Sequence, residues 1–403
     1  MRDILNKLSK SVVEYMQKKT ILNYFVILYC SFMICCPPFF ITFVPGIIKT
    51  PLRLFGIFFI LLLYCFFVIY NKRISKIFVF TFIMCLYFFV ICIVNGNDYF
   101  YALYSNFFMT ISAISLFEIY TNSELKLDFI KINYFLWLIS IFIFVLVYLS
   151  GYENLESMYN RNNYIMFIFI YILFEKQLML MDNNKIYKII SYIMSVVLIL
   201  FSIATGAATA SVVLIVIYIY EYILDRNDIY KKVFDGFNIY AIVLLLYFML
   251  MIFPGTHSQL ANIVSDLFHK EEGLSFRSRF YDIDREVIFR KPIFGYGPMG
   301  NYQKLLGKGH NDAHCFVFQY LIDGGIIGLM MLFNCYKVVV DCIKRKSDNN
   351  IRCYLYLMLF VFTIRNMMEA VGLNFIFFVL SSIYFMAETT EDDYFKFSIR
   401  KNV

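Results

Sequence analysis

Apolar runs long enough to cross a bilayer recur along this chain, at about 21–44, 52–70, 76–94, 99–120, 130–149, 164–181, 186–204, 207–224, 237–254, 314–340, 353–369 and 371–388. A hydrocarbon core needs about 20 helical residues to span it, so the chain has room for about twelve spans and few long loops. The runs are apolar all round, whereas the strands of a transmembrane barrel would alternate. Composition agrees: 61% of the 403 residues are hydrophobic and 16% are charged, against about half and about a quarter in soluble domains. A soluble domain, a secreted disulfide scaffold and a disordered chain are excluded. The sequence predicts an all-α, polytopic integral membrane protein with about 12 transmembrane helices and one large periplasmic or extracellular loop. Its expected parts are transmembrane helices 1 to 9 over 1–254, the external loop over 255–313, and helices 10 to 12 with a cytoplasmic tail over 314–403.

Lys and Arg set the orientation. Twenty-four of the 36 fall in the two tails and in alternate short loops and span ends, among them Lys72, Arg73 and Lys76, Arg226, Lys231 and Lys232, and Lys344, Arg345 and Lys346. The other short loops and span ends hold only Lys49, Arg53, Arg161 and Arg365. Both termini are therefore expected in the cytoplasm and the 255–313 loop outside. The net charge of +7 is spent on this asymmetry, so no nucleic-acid partner is expected. The ten cysteines lie in or beside the apolar runs, without a disulfide framework or CxxC metal motif. The first apolar run is too long for a cleavable signal peptide and lacks a small-residue cleavage site. No internal repeat supports a transporter built from inverted halves.

The four histidines, His257, His269, His310 and His314, all fall in the external loop or at its junction with the next span. Histidine is the side chain best suited to moving protons near neutral pH. In segment 276–291, Phe276, Phe280, Ile283 and Val287 recur at helical spacing and Pro292 stops the run. This predicts an amphipathic helix that could lie on the outer leaflet. Its polar side carries Arg277, Arg279 and Arg285, which either touch lipid headgroups or clamp an anion such as a diphosphate. Gly295, Gly297 and Gly300 then mark a tight turn with exposed backbone N–H groups. It is not a P-loop, because no GK[ST] follows. Asp323 lies nine residues beyond His314, inside a span, where a carboxylate is costly unless paired or wetted. Gly324 and Gly328 have the spacing that lets helices approach closely.

Arg53, Arg161 and Arg365 stand at outer span ends, and Glu369 follows Arg365 at the i,i+4 spacing of a structural pair. With Arg277 and Arg279 these groups would make a basic pocket for an anionic lipid headgroup. The chain has no HExxH or GxSxG. No metal and no cofactor are expected, and an enzyme here would need an already activated donor delivered through the membrane.

The stretch 277–329 resembles the signature of the bacterial O-antigen ligase and polymerase superfamily, which includes the Wzy-type repeat-unit polymerases. Arg277 has Tyr281 four residues on and Pro292 fifteen on; Gly295 and Gly297 form a G-x-G. His314 then has Asp323 at plus nine and Gly325-Ile326-Ile327-Gly328 at plus eleven to fourteen. The chain departs from the pattern in places. Cys315 stands where Asn usually follows the His, and His310-Asn311 lies four residues too far from the glycines. Tyr281 replaces the usual Trp, and Thr205-Gly206-Ala207-Ala208-Thr209 lacks the Arg of a T-G-S-R-T-like segment, whose place Arg161 or Arg365 would take.

The resemblance implies metal-independent glycosyl transfer on undecaprenyl-diphosphate-linked sugars at the outer side of the cytoplasmic membrane. His314 and Arg277 would be the catalytic pair, the histidine acting on the attacking hydroxyl. Arg279, Arg365, Arg161 and Arg53 would hold the diphosphate, with Arg279 a rival to Arg277 as the main clamp. His310, Tyr281, Asp323 and Glu369 would support them. The leading expectation is an O-antigen or capsule polymerase whose partners are lipid-linked oligosaccharide repeat units, membrane lipids and a chain-length regulator. The alternatives are an O-antigen ligase acting on lipid A–core and, in another class, a lipid-linked oligosaccharide flippase.

Overall fold

The computed structural model describes residues 2–35, 45–97, 100, 102–149, 164–182, 184–204, 277–298, 315–368, 372–387 and 390–396, with 214, 215, 217 and 218. The chain opens with α1 (Arg2–Met16), α2 (Ile21–Cys35) and α3 (Gly46–Asn71). Strand β1 (Arg73–Ser75) leads into α4 (Lys76–Val94). A π-helical turn (Ala102–Phe108) runs into α5 (Met109–Thr121), followed by α6 (Lys126–Leu149), α7 (Tyr164–Met181) and α8 (Lys185–Ala204). Then come α9 (Arg277–Arg290), α10 (Phe316–Lys344), α11 (Asn349–Met368), α12 (Leu373–Met386) and strand β2 (Tyr394–Lys396).

Six helical stretches among the described residues are long and apolar enough to cross a membrane: Gly46–Asn71, Lys76–Val94, Ala102–Thr121, Lys126–Leu146, Lys185–Ser202 and Phe316–Lys344. Ile21–Ile34 and Leu373–Met386 are shorter apolar helices. The expected spans at 207–224, apart from four residues, and at 237–254 lie outside the described residues. The protein is an all-α membrane protein with one small exception. Strands β1 and β2 pair antiparallel, Arg73 opposite Lys396 and Ser75 opposite Tyr394.

Sequence explains how the ends of these helices are made. Lys72 takes a left-handed backbone, φ 52°, and ends α3, and Ser75 caps α4 by accepting from the Phe78 N–H. Asn23 donates its amide to the carbonyls of Tyr15 and Lys18, both at 2.7 Å, and fixes the turn from α1 to α2. In the bundle centre, Phe117 of α5 meets Phe129 of α6 at 5.3 Å, Phe174 of α7 at 6.1 Å and Phe378 of α12 at 4.9 Å between ring centroids. Edge-to-face and stacked aromatic pairs of this kind add directional preference to burial.

The ribbon marks one end of the bundle. Since α3 and α4 join through β1, the start of α3 and the end of α4 lie at the opposite end. Arg345, just past α10, pairs with Asp393 beside β2, so α10 also begins at the far end.

Candidate functional site

Helix α10 is not continuous. Gly325 has φ 61° and ψ −162°, and the helix breaks there. A break strips two turns of their intrahelical partners, which is costly wherever water is scarce. The turn after α9 supplies the replacements. The Tyr296 and Gly297 N–H groups donate to the carbonyls of Ile322 and Asp323, both at 2.7 Å. In return the Ile326 N–H donates to the Pro292 carbonyl at 2.8 Å and the Ile327 N–H to the Ile293 carbonyl at 3.4 Å. The 292–297 segment is thus spliced into the helix. Only glycines permit the approach: a Cβ on Gly325 would stand 2.2 Å from the Ile293 oxygen, and one on Gly295 would stand 2.6 Å from the Ile322 oxygen.

The end of α4 holds the splice from the other side. The Tyr87 hydroxyl donates to the Gly324 carbonyl at 2.8 Å, and the Asn97 amide donates to the Tyr296 carbonyl. Lys291 donates to Asn95 at 2.6 Å and lies over the Tyr296 ring, whose hydroxyl donates to the Val287 carbonyl of α9. Gly324 and Gly328 lie against Phe88 of α4, the close helix approach their spacing predicts. The expectation of exposed N–H groups on the glycine turn is corrected: the amides of Gly295, Tyr296 and Gly297 all donate to backbone carbonyls. An anion would find none of them available.

The predicted amphipathic helix is α9, which ends at Arg290, just before Pro292. Arg277, Arg279 and Tyr281 occupy its first two turns; their side chains lie outside the described residues. Arg161, His310, His314 and Glu369 lie outside them altogether. Asp323 is buried in the last turn before the break, and the Gln319 amide donates to both its carboxylate oxygens at 3.0 and 3.1 Å. Arg53 donates to the Met33 carbonyl at 3.2 Å and to the Met109 sulfur at 3.0 Å, and sits 5.8 Å over the Tyr104 ring in the π-helical turn. Arg365 is 1% exposed and donates to Asn366 at 3.2 Å. Arg53, Asp323 and Arg365 all lie in helix halves directed away from the ribbon, as does the splice.

Among the described residues the sequence reading passed over four buried carboxylates, Glu118, Glu175, Asp284 and Asp393. Glu118 accepts from the Tyr64 hydroxyl at 2.9 Å, the Ser75 N–H at 3.1 Å and the Ser75 hydroxyl at 2.5 Å. Glu175 accepts from the Tyr171 hydroxyl at 2.6 Å, and Asp284 is buried on the face of α9 that also buries Val287. The signal for Glu118 and Glu175 was present, since each is an acid within an apolar run. Among the described residues no cluster of His, Cys, Asp or Glu could hold a metal ion.

No curated protein and no solved structure matches the chain. Residues 190–333 match the family model described as O-antigen ligase. That segment holds most of α8, all of α9, the splice and the first part of α10. Over residues 190–333 the chain is therefore O-antigen ligase-like, which supports the resemblance to the O-antigen ligase/polymerase superfamily.

Proposed function

We propose that the protein is a polysaccharide repeat-unit polymerase of the cytoplasmic membrane. It would transfer a growing glycan from undecaprenyl diphosphate onto an incoming undecaprenyl-diphosphate-linked repeat unit, on the outer side, with both termini inside. The carrying observation is that the match to the O-antigen ligase family runs through the Arg277-to-Gly328 series. The family supports a polysaccharide-processing, glycosyltransferase-like enzyme with lipid-linked substrates. The 255–313 loop would cover the site and read the glycan.

In this reading Arg277 and Arg279 hold the donor diphosphate and stabilise the charge that builds on it as it leaves. Arginine suits the task because its planar fork stays charged and binds phosphate oxygens in pairs. Arg53, Arg161 and Arg365 add positive charge around the same headgroup. His314, with His310 near it in sequence, takes the proton of the attacking sugar hydroxyl. The bond from the anomeric carbon to the diphosphate oxygen breaks as the new glycosidic bond forms. Asp323, Tyr281 and Glu369 would orient these groups. No step in this scheme calls for a metal ion or a cofactor.

Supplying purified protein with undecaprenyl-diphosphate repeat units alone, in EDTA, tests the reading. A ladder of polymer supports it, and a chain-length regulator should then narrow the ladder. The matching family, described as O-antigen ligase, favours a second reading, an O-antigen ligase. Transfer that occurs only once lipid A–core is added would establish that reading and overturn the polymerase.

A further inference from the structure

The splice lies deep. The α10 residues that exchange backbone hydrogen bonds with it, Ile322 to Ile327, are six to eleven residues into a helix apolar enough to cross a membrane. At 1.5 Å per residue that is roughly 9 to 16 Å from the first residue of α10. The segment beside it is strongly apolar and uncovered: Phe289 is 77% exposed, Ile293 52% and Phe294 56%. Ile326, whose N–H bonds to Pro292, is 50% exposed and continues the same surface on α10. Soluble proteins rarely leave such a contiguous patch in water.

We infer that residues 289–294 form a re-entrant wedge that sits in the hydrocarbon of the bilayer, with lipid acyl chains as its partner. Irregular backbone at membrane depth is tolerated only when its polar groups are satisfied by protein. The two-way exchange with α10 does this for the carbonyls of Pro292 and Ile293 and the amides of Tyr296 and Gly297. The polar neighbours fit the boundary. Arg290 pairs with Glu286 on α9, and Lys291 reaches to Asn95 just past α4. Basic side chains commonly hold such a position at the headgroups while their stems lie along apolar surface. The wedge rests on α10 being a span and is independent of which sugar chemistry the protein performs.

The chain has a single tryptophan, Trp137, buried in the bundle. Ile293→Trp and Phe294→Trp variants should add an emission that is largely lost in vesicles of phosphatidylcholine brominated on its acyl chains. Iodide in the buffer should leave that emission unchanged. Glu286→Trp, on the exposed side of α9, should behave in the opposite way. Emission from 293 and 294 that follows iodide, or that neither quencher reaches, overturns the wedge. Phe289→Trp carries the same two outcomes if a ring at 293 or 294 prevents folding.

Discussion

The amide of Gly297 donates to the carbonyl of Asp323 across 2.7 Å, joining the turn after α9 to the helix it interrupts. The bond belongs to a set of four that runs in both directions. The turn after α9 is therefore positioned by α10 itself, and not by a loose tether. Because Gly325 has φ 61° and ψ −162°, a region essentially reserved for glycine, Gly325→Ala should cost about 1–3 kcal/mol in backbone strain alone. The clash with the Ile293 oxygen at 2.2 Å adds to it. Gly46→Ala is the control, since a Cβ there meets nothing within 4 Å. Thermal melts of the detergent-solubilised variants should show a large drop for Gly325→Ala and little change for Gly46→Ala.

Glu118 should matter for stability more than for chemistry. Its carboxylate takes three hydrogen bonds, from Tyr64 and twice from Ser75, at the ribbon end of the bundle. Removing it leaves buried donors unsatisfied, which costs about 1–3 kcal/mol. Glu118→Ala should therefore lower the melting midpoint markedly, while Glu118→Gln recovers part of the loss by keeping an acceptor. Polymer formed per folded molecule should stay close to that of the unsubstituted protein for both. A loss of activity in folded Glu118→Gln would give this residue a part in the reaction.

Six of the expected spans, the helix at α9 and its stop before Pro292 were legible because each rests on periodicity or on a single residue with one strong effect. Helix α9 ends at Arg290, as a proline two residues on requires. The break in α10 was not legible. Gly324 and Gly328 read as packing glycines and do lie against Phe88, but Gly325 between them is the one that leaves helical geometry. Its role depends on Pro292 and Ile293, more than thirty residues earlier, and no local pattern carries that link. The ribbon was missed for the same reason, since Arg73 and Lys396 pair across most of the chain and each strand has three residues. Glu118 was readable as an acid in a span, whereas its partners at Tyr64 and Ser75 were not.

The proposed clamp predicts a sharp difference between two basic residues. Arg277→Lys keeps the charge and loses the fork, so it should lose most of the polymer at normal protein level. If Arg279 is instead the main contact, Arg279→Lys will carry that loss and Arg277→Lys will not. His314→Ala should abolish polymer while His257→Ala leaves it. Ladders from purified variants, compared at equal amounts of folded protein, check all four; equal behaviour of the two histidine variants would remove His314 from the mechanism.

Arg365 and Arg53 should separate into a fold effect and a substrate effect. Arg365 is 1% exposed within α11, so truncating it empties space in a packed bundle. Arg365→Ala should then cost at least about 2 kcal/mol, the lower end for large-to-small core changes. Arg53 is half-buried near the start of α3, where it meets a carbonyl, a thioether and an aromatic ring. Those neutral groups leave its charge uncancelled by any carboxylate among the described residues. Arg53→Met should therefore keep a near-normal melting midpoint and raise the KM for the lipid-diphosphate donor with a smaller change in kcat, since an interaction made equally in ground and transition states appears in KM alone. Melts and donor titrations on the two variants decide it. If Arg53→Met melts as low as Arg365→Ala with an unaltered KM, Arg53 belongs to the scaffold and not to the headgroup site.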